Sequence, residues 1–156
     1  MRTTWRWPRD HDEGDLIVSE MDEVIPALVA AVQEQHATGD HYRDDAIRQP
    51  MEHQAQLALR PGPVRVDVIV DPPWSDGQIN SVQVVTGDRP FLVDTVASCL
   101  LRHGWRVEDV RHPIIGVKRD RGTIEAVGTP GRGGCASESW IHIDVTAPLG
   151  TDIGQA

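Results

Sequence analysis

The groups in this chain that could do chemistry are few, and the most telling of them belong to the backbone. At Thr86-Gly87-Asp88-Arg89-Pro90-Phe91 a short β-branched run (Val82, Val84, Val85) meets a tight turn. A proline then stands where a helix tolerates it best, in the first turn. Leu92, Val93, Val96 and Leu100 follow at helical spacing, and Gly104 supplies a left-handed stop. A strand passing through a Gly-Asp turn into a helix over Phe91–His103 aims unpaired N–H groups, at the positive end of a helix dipole, into one small space. A carboxylate or phosphate suits such a place. The plainer reading is that Gly87 and Asp88 only make the turn, with Asp88 or Thr86 capping the helix.

Side-chain chemistry is harder to find. None of His103, His112 and His142 stands at a metal-ligand spacing from another histidine, so no metal site is expected. His142 and Asp144 share a strand face and could orient a ligand, or form an ordinary hydrogen-bonded pair. His11-Asp12-Glu13 reads as a solvated charge run. Cys99 falls in mid-helix and is expected buried and inert; Cys135 follows glycines in what reads as an exposed, flexible loop. Ser137 and Ser139 lack a nucleophile-elbow context, and Asp44 and Asp45 point apart on any regular element. Neither a phosphate-loop pattern nor the three-glycine dinucleotide fingerprint occurs. No catalytic residue is expected, and no cofactor in this segment.

The elements that must position the turn can be read in order. Residues 1–18 have no period and are expected to be mobile. A helical pattern runs from Ser19 to His36, with Ser19 as cap, Pro26 as a candidate start and Gly39 as stop. Pro50 can open a second helix through Met51, Ala55, Ala58 and Leu59, which Arg60-Pro61-Gly62-Pro63 ends. Residues 19–62 thus form a helical segment. Val64, Val66, Val68 and Val70 then alternate with Arg65 and Asp67, the mark of a half-buried strand with valines inward. Trp105–Arg119 is a long strand candidate broken at Pro113, which belongs at an edge or bulge. Asp120-Arg121-Gly122 is a hairpin turn before Thr123–Val127. Glu138–Val145 alternates again, with Ile141, Ile143 and Val145 inward against Trp140, His142 and Asp144.

This order predicts an α+β fold, a ferredoxin-like βαββ core with an antiparallel sheet over residues 63–147, preceded by N-terminal helices and followed by a tail at 148–156. A complete βαββαβ module needs a second helix and a fourth strand after Val145. Either the piece is incomplete, or the Val64–Val70 strand and the N-terminal helices fill in.

Composition narrows the partners. The net charge of −9, with 15 basic residues among 156, argues against nucleic acid. No apolar run approaches membrane-spanning length, and the N-terminus has no signal-peptide core. Two cysteines are too few for a disulfide framework, so a reduced cytoplasm is the expected setting.

The run Val85–Val96, Val-Thr-Gly-Asp-Arg-Pro-Phe-Leu-Val-Asp-Thr-Val, resembles the N-terminal region of the large NAD-specific glutamate dehydrogenases of bacteria. His112-Pro113, then Val117-Lys118-Arg119-Asp120 with Gly122, then Glu138-Ser139-Trp140-Ile141-His142-Ile143-Asp144 repeat further landmarks of that family in order. The resemblance spans about Tyr42 to Val145. Gly87 departs from it, since the family often carries an acidic residue or Asn there, and the departure loosens the turn.

In that family the region is similar to ACT domains, ferredoxin-like modules that bind amino acids or pair with one another to regulate an attached enzyme. The resemblance implies a regulatory or assembly module of an enzyme that deaminates L-glutamate oxidatively to 2-oxoglutarate, with NAD held by the parent chain. The implied partners are downstream domains of the same chain, further copies in a homo-oligomer, and an L-amino acid effector. An effector's carboxylate would meet the amides from Gly87 to Phe91, with Arg89 adding a charged hydrogen bond and Asp88 or Asp94 meeting its ammonium. Thr86, Gly87, Asp88, Arg89, Pro90, Phe91 and Asp94 are thus the expected effector-binding residues. The alternative is a structural module that binds nothing and pairs or docks through its strand edges, for which Ile114 and Ile115 offer an apolar edge.

Overall fold

The structure, a computed structural model, describes residues 21–36 and 44–148. The N-terminal segment 1–18, the Ser19 cap, the Gly39 stop and residues 149–156 of the tail lie outside the described residues. Three helices and six strands follow one another as α1 (Met21–His36), α2 (Asp44–Ala58), β1 (Val64–Ile69), β2 (Asn80–Gly87), α3 (Leu92–Arg102), β3 (Arg106–Arg111), β4 (Ile114–Asp120), β5 (Thr123–Gly128) and β6 (Ala136–Thr146). No helix among the described residues is long and apolar enough to cross a membrane.

The strands form one antiparallel sheet ordered β1-β2-β6-β4-β5, with β3 beside the far half of β6. The eleven residues of β6 serve as its spine. One long side pairs with β2, from Asn80↔Val145 to Gly87↔Glu138. Along the other side β3 takes Arg111↔His142 to Arg106↔Thr146, and β4 takes Ile114↔Ser139 to Val117↔Ala136. β2 and β3 therefore run parallel with β6 between them and α3 as their crossover, the split βαβ of a ferredoxin-like core. The α+β, antiparallel, ferredoxin-like fold expected from the sequence is the fold observed.

The missing fourth strand is supplied from the N-terminal side, because β1 pairs with β2 over Val64↔Thr86 to Ile69↔Ser81. The N-terminal helices do not complete the module in the same way, since they cover the opposite face. On one face α1 and α2 bury Leu28, Val32, Met51 and Leu57 against Val85, Ile115, Val127 and Trp140. On the other, Leu92, Val93, Val96 and Leu100 of α3 close over Val82, Val84, Ile141, Ile143 and Val145. Each fully buried side chain of this size is worth about 1.5–3 kcal/mol.

Because helices lie on both faces, β6 is buried on both: Ile141 and Trp140 are each fully covered. The same arrangement reverses the expectation for β1. Arg65 and Asp67 point to the α2 side, where Arg65 is buried and Asp67 meets Arg60 at 3.2 Å. The valines face the α3 side, but α3 packs on β3 and β6, so Val64, Val66, Val68 and Val70 remain 49–58 % exposed.

Both helix-start assignments to proline are corrected as well. α1 begins before Pro26 and α2 before Pro50, so both prolines lie inside their helices. The break at Pro113 is observed, but within the sheet, between β3 and β4. Its carbonyl accepts the Trp140 amide at 3.1 Å, which keeps β6 paired across the gap. β4 lies between β6 and β5, and Ile115 is buried, while the β5 pairing begins only at Gly116, past Ile114 and Ile115. The hairpin at Asp120–Gly122 is observed as a two-residue turn, with Arg121 (φ 49°) and Gly122 (φ 88°) both left-handed.

Candidate functional site

The chain leaves β2 at Gly87 and enters α3 at Leu92. Gly87 is still paired with Glu138, and its backbone is not left-handed. The left-handed residue at this junction is Phe91 (φ 66°, ψ 14°), an aromatic residue 77 % exposed. A bulky residue in that region is an outlier, and such outliers cluster at ligand clamps. Pro90 lies two residues before α3 rather than in its first turn.

Among the described residues no side chain caps α3. Thr86 is buried and gives its hydroxyl hydrogen to the Pro63 carbonyl at 3.2 Å. The Asp88 carboxylate accepts from the Ser139 hydroxyl at 2.6 Å, and the Asp88 amide donates to the Ser137 carbonyl at 2.9 Å. The first intrahelical bond runs from the Thr95 amide to the Phe91 carbonyl at 2.9 Å, reinforced by the Thr95 hydroxyl at 2.7 Å. The amides that helix geometry leaves without an intrahelical acceptor are therefore those of Leu92, Val93 and Asp94. They replace the Gly87–Phe91 set expected from the sequence.

These residues border an open hollow of about 480 Å³ lined by Asp88, Arg89, Pro90, Phe91, Leu92, Val93 and Asp94. Its far wall comes from the break between β3 and β4, as His112 and Ile114. Five of the seven expected effector residues are thus brought together, while Thr86 and Gly87 stay in the sheet. Two carboxylates, one exposed guanidinium and the start of a helix dipole surround the space. That set complements a zwitterion, with its ammonium toward Asp88 or Asp94 and its carboxylate toward Arg89 and the helix amides.

In the sequence His112 and Ser139 stand as a histidine without metal-ligand spacing, a serine without a nucleophile elbow, and landmarks of the resemblance. Here they hold Asp88. A carboxylate cannot donate, so the Ser139 hydroxyl gives its hydrogen to Asp88 and accepts from His112 Nε2 at 3.0 Å. The direction is the reverse of nucleophile activation, in which the histidine accepts the serine proton. Ser139 is also fully buried. The arrangement orients and binds, and it sets up no acyl transfer.

The His142–Asp144 pair lies on the opposite face, beneath α2. His142 Nδ1 accepts from Gln83 Nε2 at 2.9 Å, and Nε2 donates to Asp144 at 2.8 Å. Gln83 also donates to the Pro50 carbonyl at 2.8 Å and accepts from His53 Nδ1 at 2.8 Å. Ser81 gives Asp144 a second hydrogen bond at 2.7 Å, with Arg111 3.5 Å away. Burial first, and then the Arg111 charge, hold the His142 imidazole below its ordinary value against the pull of Asp144 and Asp109. Burial alone would raise Asp144, but the hydrogen bonds from His142 and Ser81 and the Arg111 charge bring it below the usual carboxylate value. Every polar atom of this histidine ring is engaged, so the pair fastens α2, β2 and β6 together. No cluster among the described residues could hold a metal ion.

The two cysteines exchange their expected roles: Cys99 is exposed on α3 and Cys135 is buried. The glycine-rich loop before Cys135 is closed by backbone bonds from Gly131 to Cys135 and from Cys135 to Arg132.

No solved structure matches the chain. The family model for the glutamate dehydrogenase ACT1 domain matches residues 32–151, which takes in every strand, α2, α3 and the hollow between them. With well over half of its length covered, this chain belongs to the glutamate dehydrogenase ACT1 domain family.

Proposed function

We propose that this chain is the regulatory and assembly module of a large NAD-specific glutamate dehydrogenase of the bacterial type, and that an L-amino acid binds in the hollow at the β2–α3 junction. The parent enzyme would deaminate L-glutamate oxidatively to 2-oxoglutarate in the cytoplasm, as a homo-oligomer. NAD and the reaction are assigned to downstream domains: the sequence has no dinucleotide fingerprint, and no nucleophile is activated among the described residues. The observation that carries the effector reading is the placement of Arg89 and the free α3 amides beside Asp88 and Asp94, around a space large enough for an amino acid. In this reading Phe91, exposed and left-handed, would close over a bound ligand.

A ligand that binds two arrangements of paired modules unequally shifts their populations, and regulation requires no more than that. Isothermal calorimetry of the chain with glutamate, aspartate, arginine and the branched-chain amino acids is the test. Heat with at least one of them, lost in Asp94→Asn and in Arg89→Ala, is the expected result. Absence of heat with all of them removes the effector and leaves the structural module. That second reading is favoured by the uncovered valines of β1.

A further inference from the structure

The strand β1 presents three features that no contact among the described residues explains. Its outer edge is open, because among the described residues it pairs with β2 alone. Its upper face is a row of four half-exposed valines, next to neighbours Val82 and Val84 that are covered. Its lower face holds Arg65, 5 % exposed, which makes no ion pair among the described residues and donates from Nε to the Arg60 carbonyl. Burial and then the like charge of Arg119 weigh against that guanidinium, and the Glu138 carboxylate offsets them only in part.

The other sheet edges differ. β3 places charged residues at Arg106, Glu108, Asp109 and Arg111, and β5 sets Thr123 and Glu125 outward. Charges of this kind blunt an edge against pairing, and β1 has none on its valine face. Pro61 and Pro63 before it, and Pro72 and Pro73 after it, limit any added strand to the valine segment.

We propose that β1 is a self-association edge, and that its occupant is β1 of a second copy, antiparallel across a two-fold axis through Val66. In that register Val64 faces Val68 of the partner subunit and Val66 faces its own counterpart. On the opposite face Arg65 faces the partner's Asp67, which would add a second carboxylate to the Glu138 charge already acting on Arg65. An isologous interface requires such self-complementarity. A two-fold axis through Asp67 also pairs the valines, but it sets two carboxylates directly opposite each other, which is destabilising. Electrostatics therefore selects the Val66 register. A docked helix from another protein would cover the valines but leave the edge groups and Arg65 as they are. A second β1 satisfies all three features. This deepens the assembly half of the proposed function and is independent of the effector half, because the calorimetric test reads the hollow and not this edge.

Sedimentation equilibrium of the chain from about 1 µM to 1 mM spans the affinities expected of so short a strand pair. Dimerisation is the expected result. Val66→Lys, at an exposed position, is expected to weaken it at least tenfold without lowering the melting temperature. Val110→Lys, at the half-exposed valine of β3, should leave it unchanged. In a Cys99→Ser background, Val66→Cys should form a disulfide-linked dimer on mild oxidation and Asp67→Cys should not. A monomer at every concentration, equal weakening by both lysine variants, or preferential cross-linking through position 67 would overturn the proposal.

Discussion

Arg119 and Glu138 meet through two parallel hydrogen bonds, Nε to Oε1 at 2.6 Å and one terminal nitrogen to Oε2 at 3.1 Å. The remaining terminal nitrogen donates to the Ala58 and Gly122 carbonyls, both at 3.0 Å. One side chain thus joins the end of α2, the β4–β5 hairpin and the spine strand, and Trp140 donates to the same carboxylate at 3.3 Å. Both side chains are largely buried, at 15 % and 8 % exposure. Removing one partner strands a charge, so Arg119→Ala is expected to cost about 3–5 kcal/mol. Arg119→Lys cannot form the fork and should cost about 1–3 kcal/mol. Urea unfolding reads both, and equal, negligible losses would refute the role.

Gly116 illustrates a different constraint. A β-carbon there would lie 2.2 Å from the Gly128 carbonyl oxygen and 2.6 Å from the Pro130 nitrogen, so backbone, not a flexible side chain, would have to move. At Gly122 nothing lies within 4 Å, but φ is +88°. Space limits the first position and backbone conformation the second. Gly116→Ala is expected to cost about 3 kcal/mol or more by overpacking, and Gly122→Ala about 1–2 kcal/mol through the left-handed backbone. Thermal melts of the pair should show this order, and the reverse order would show that the strands separate easily at Gly116.

The His142 network makes stability depend on pH with a defined sign. The folded-state value of His142 lies below its ordinary 6.5, so between those two values the unfolded chain binds more protons. The stabilisation is fully present above pH 6.5 and is lost as pH falls toward the folded value, with a slope of at most about 1.4 kcal/mol per pH unit for one proton. Asp144, also lowered, adds a loss of the same sign only at pH values below its ordinary 3.8. The groups facing His142 are Gln83, Asp144, Arg111, Asp109 and the Trp74 ring. Denaturation midpoints for the native chain should fall through the mildly acidic range, and His142→Gln should flatten that part of the curve. An unchanged slope in the variant would place the titration elsewhere.

Much of this architecture was legible because it rests on period and punctuation. The alternation in β1 and β6, the turn at Arg121–Gly122, the stop at Gly104 and the break at Pro113 all come from local rules. Local rules do not say which face of an alternating strand will be covered. In β1 the valines were expected inward, yet His53 of α2 and Arg60 of the turn after it reach Asp67 and so cover the polar side. Cys99 and Cys135 exchanged places for the same reason, because burial follows from which elements pack and not from the element a residue occupies. At the candidate site the helix start and its charged residues were readable. His112 and Ser139 were not, since they reach Asp88 only through sheet pairing between segments distant in sequence. The left-handed backbone of Phe91 gave no signal, because nothing in Arg-Pro-Phe-Leu demands it.

Phe91 is also where stability and function are expected to separate. Its left-handed backbone costs about 1–2 kcal/mol relative to a relaxed residue, and the residue, 77 % exposed, regains little of that by packing. Glycine adopts φ 66° without that cost, although it loses about 0.5–1 kcal/mol through the freedom of the unfolded chain. The balance predicts that Phe91→Gly leaves the chain as stable as before or more stable by about 1 kcal/mol. If the strain is kept because the ring closes over a bound amino acid, the same variant weakens calorimetric binding while its melting temperature holds or rises. If Phe91→Gly destabilises the chain, the ring has a structural role and loses its place in the proposed clamp.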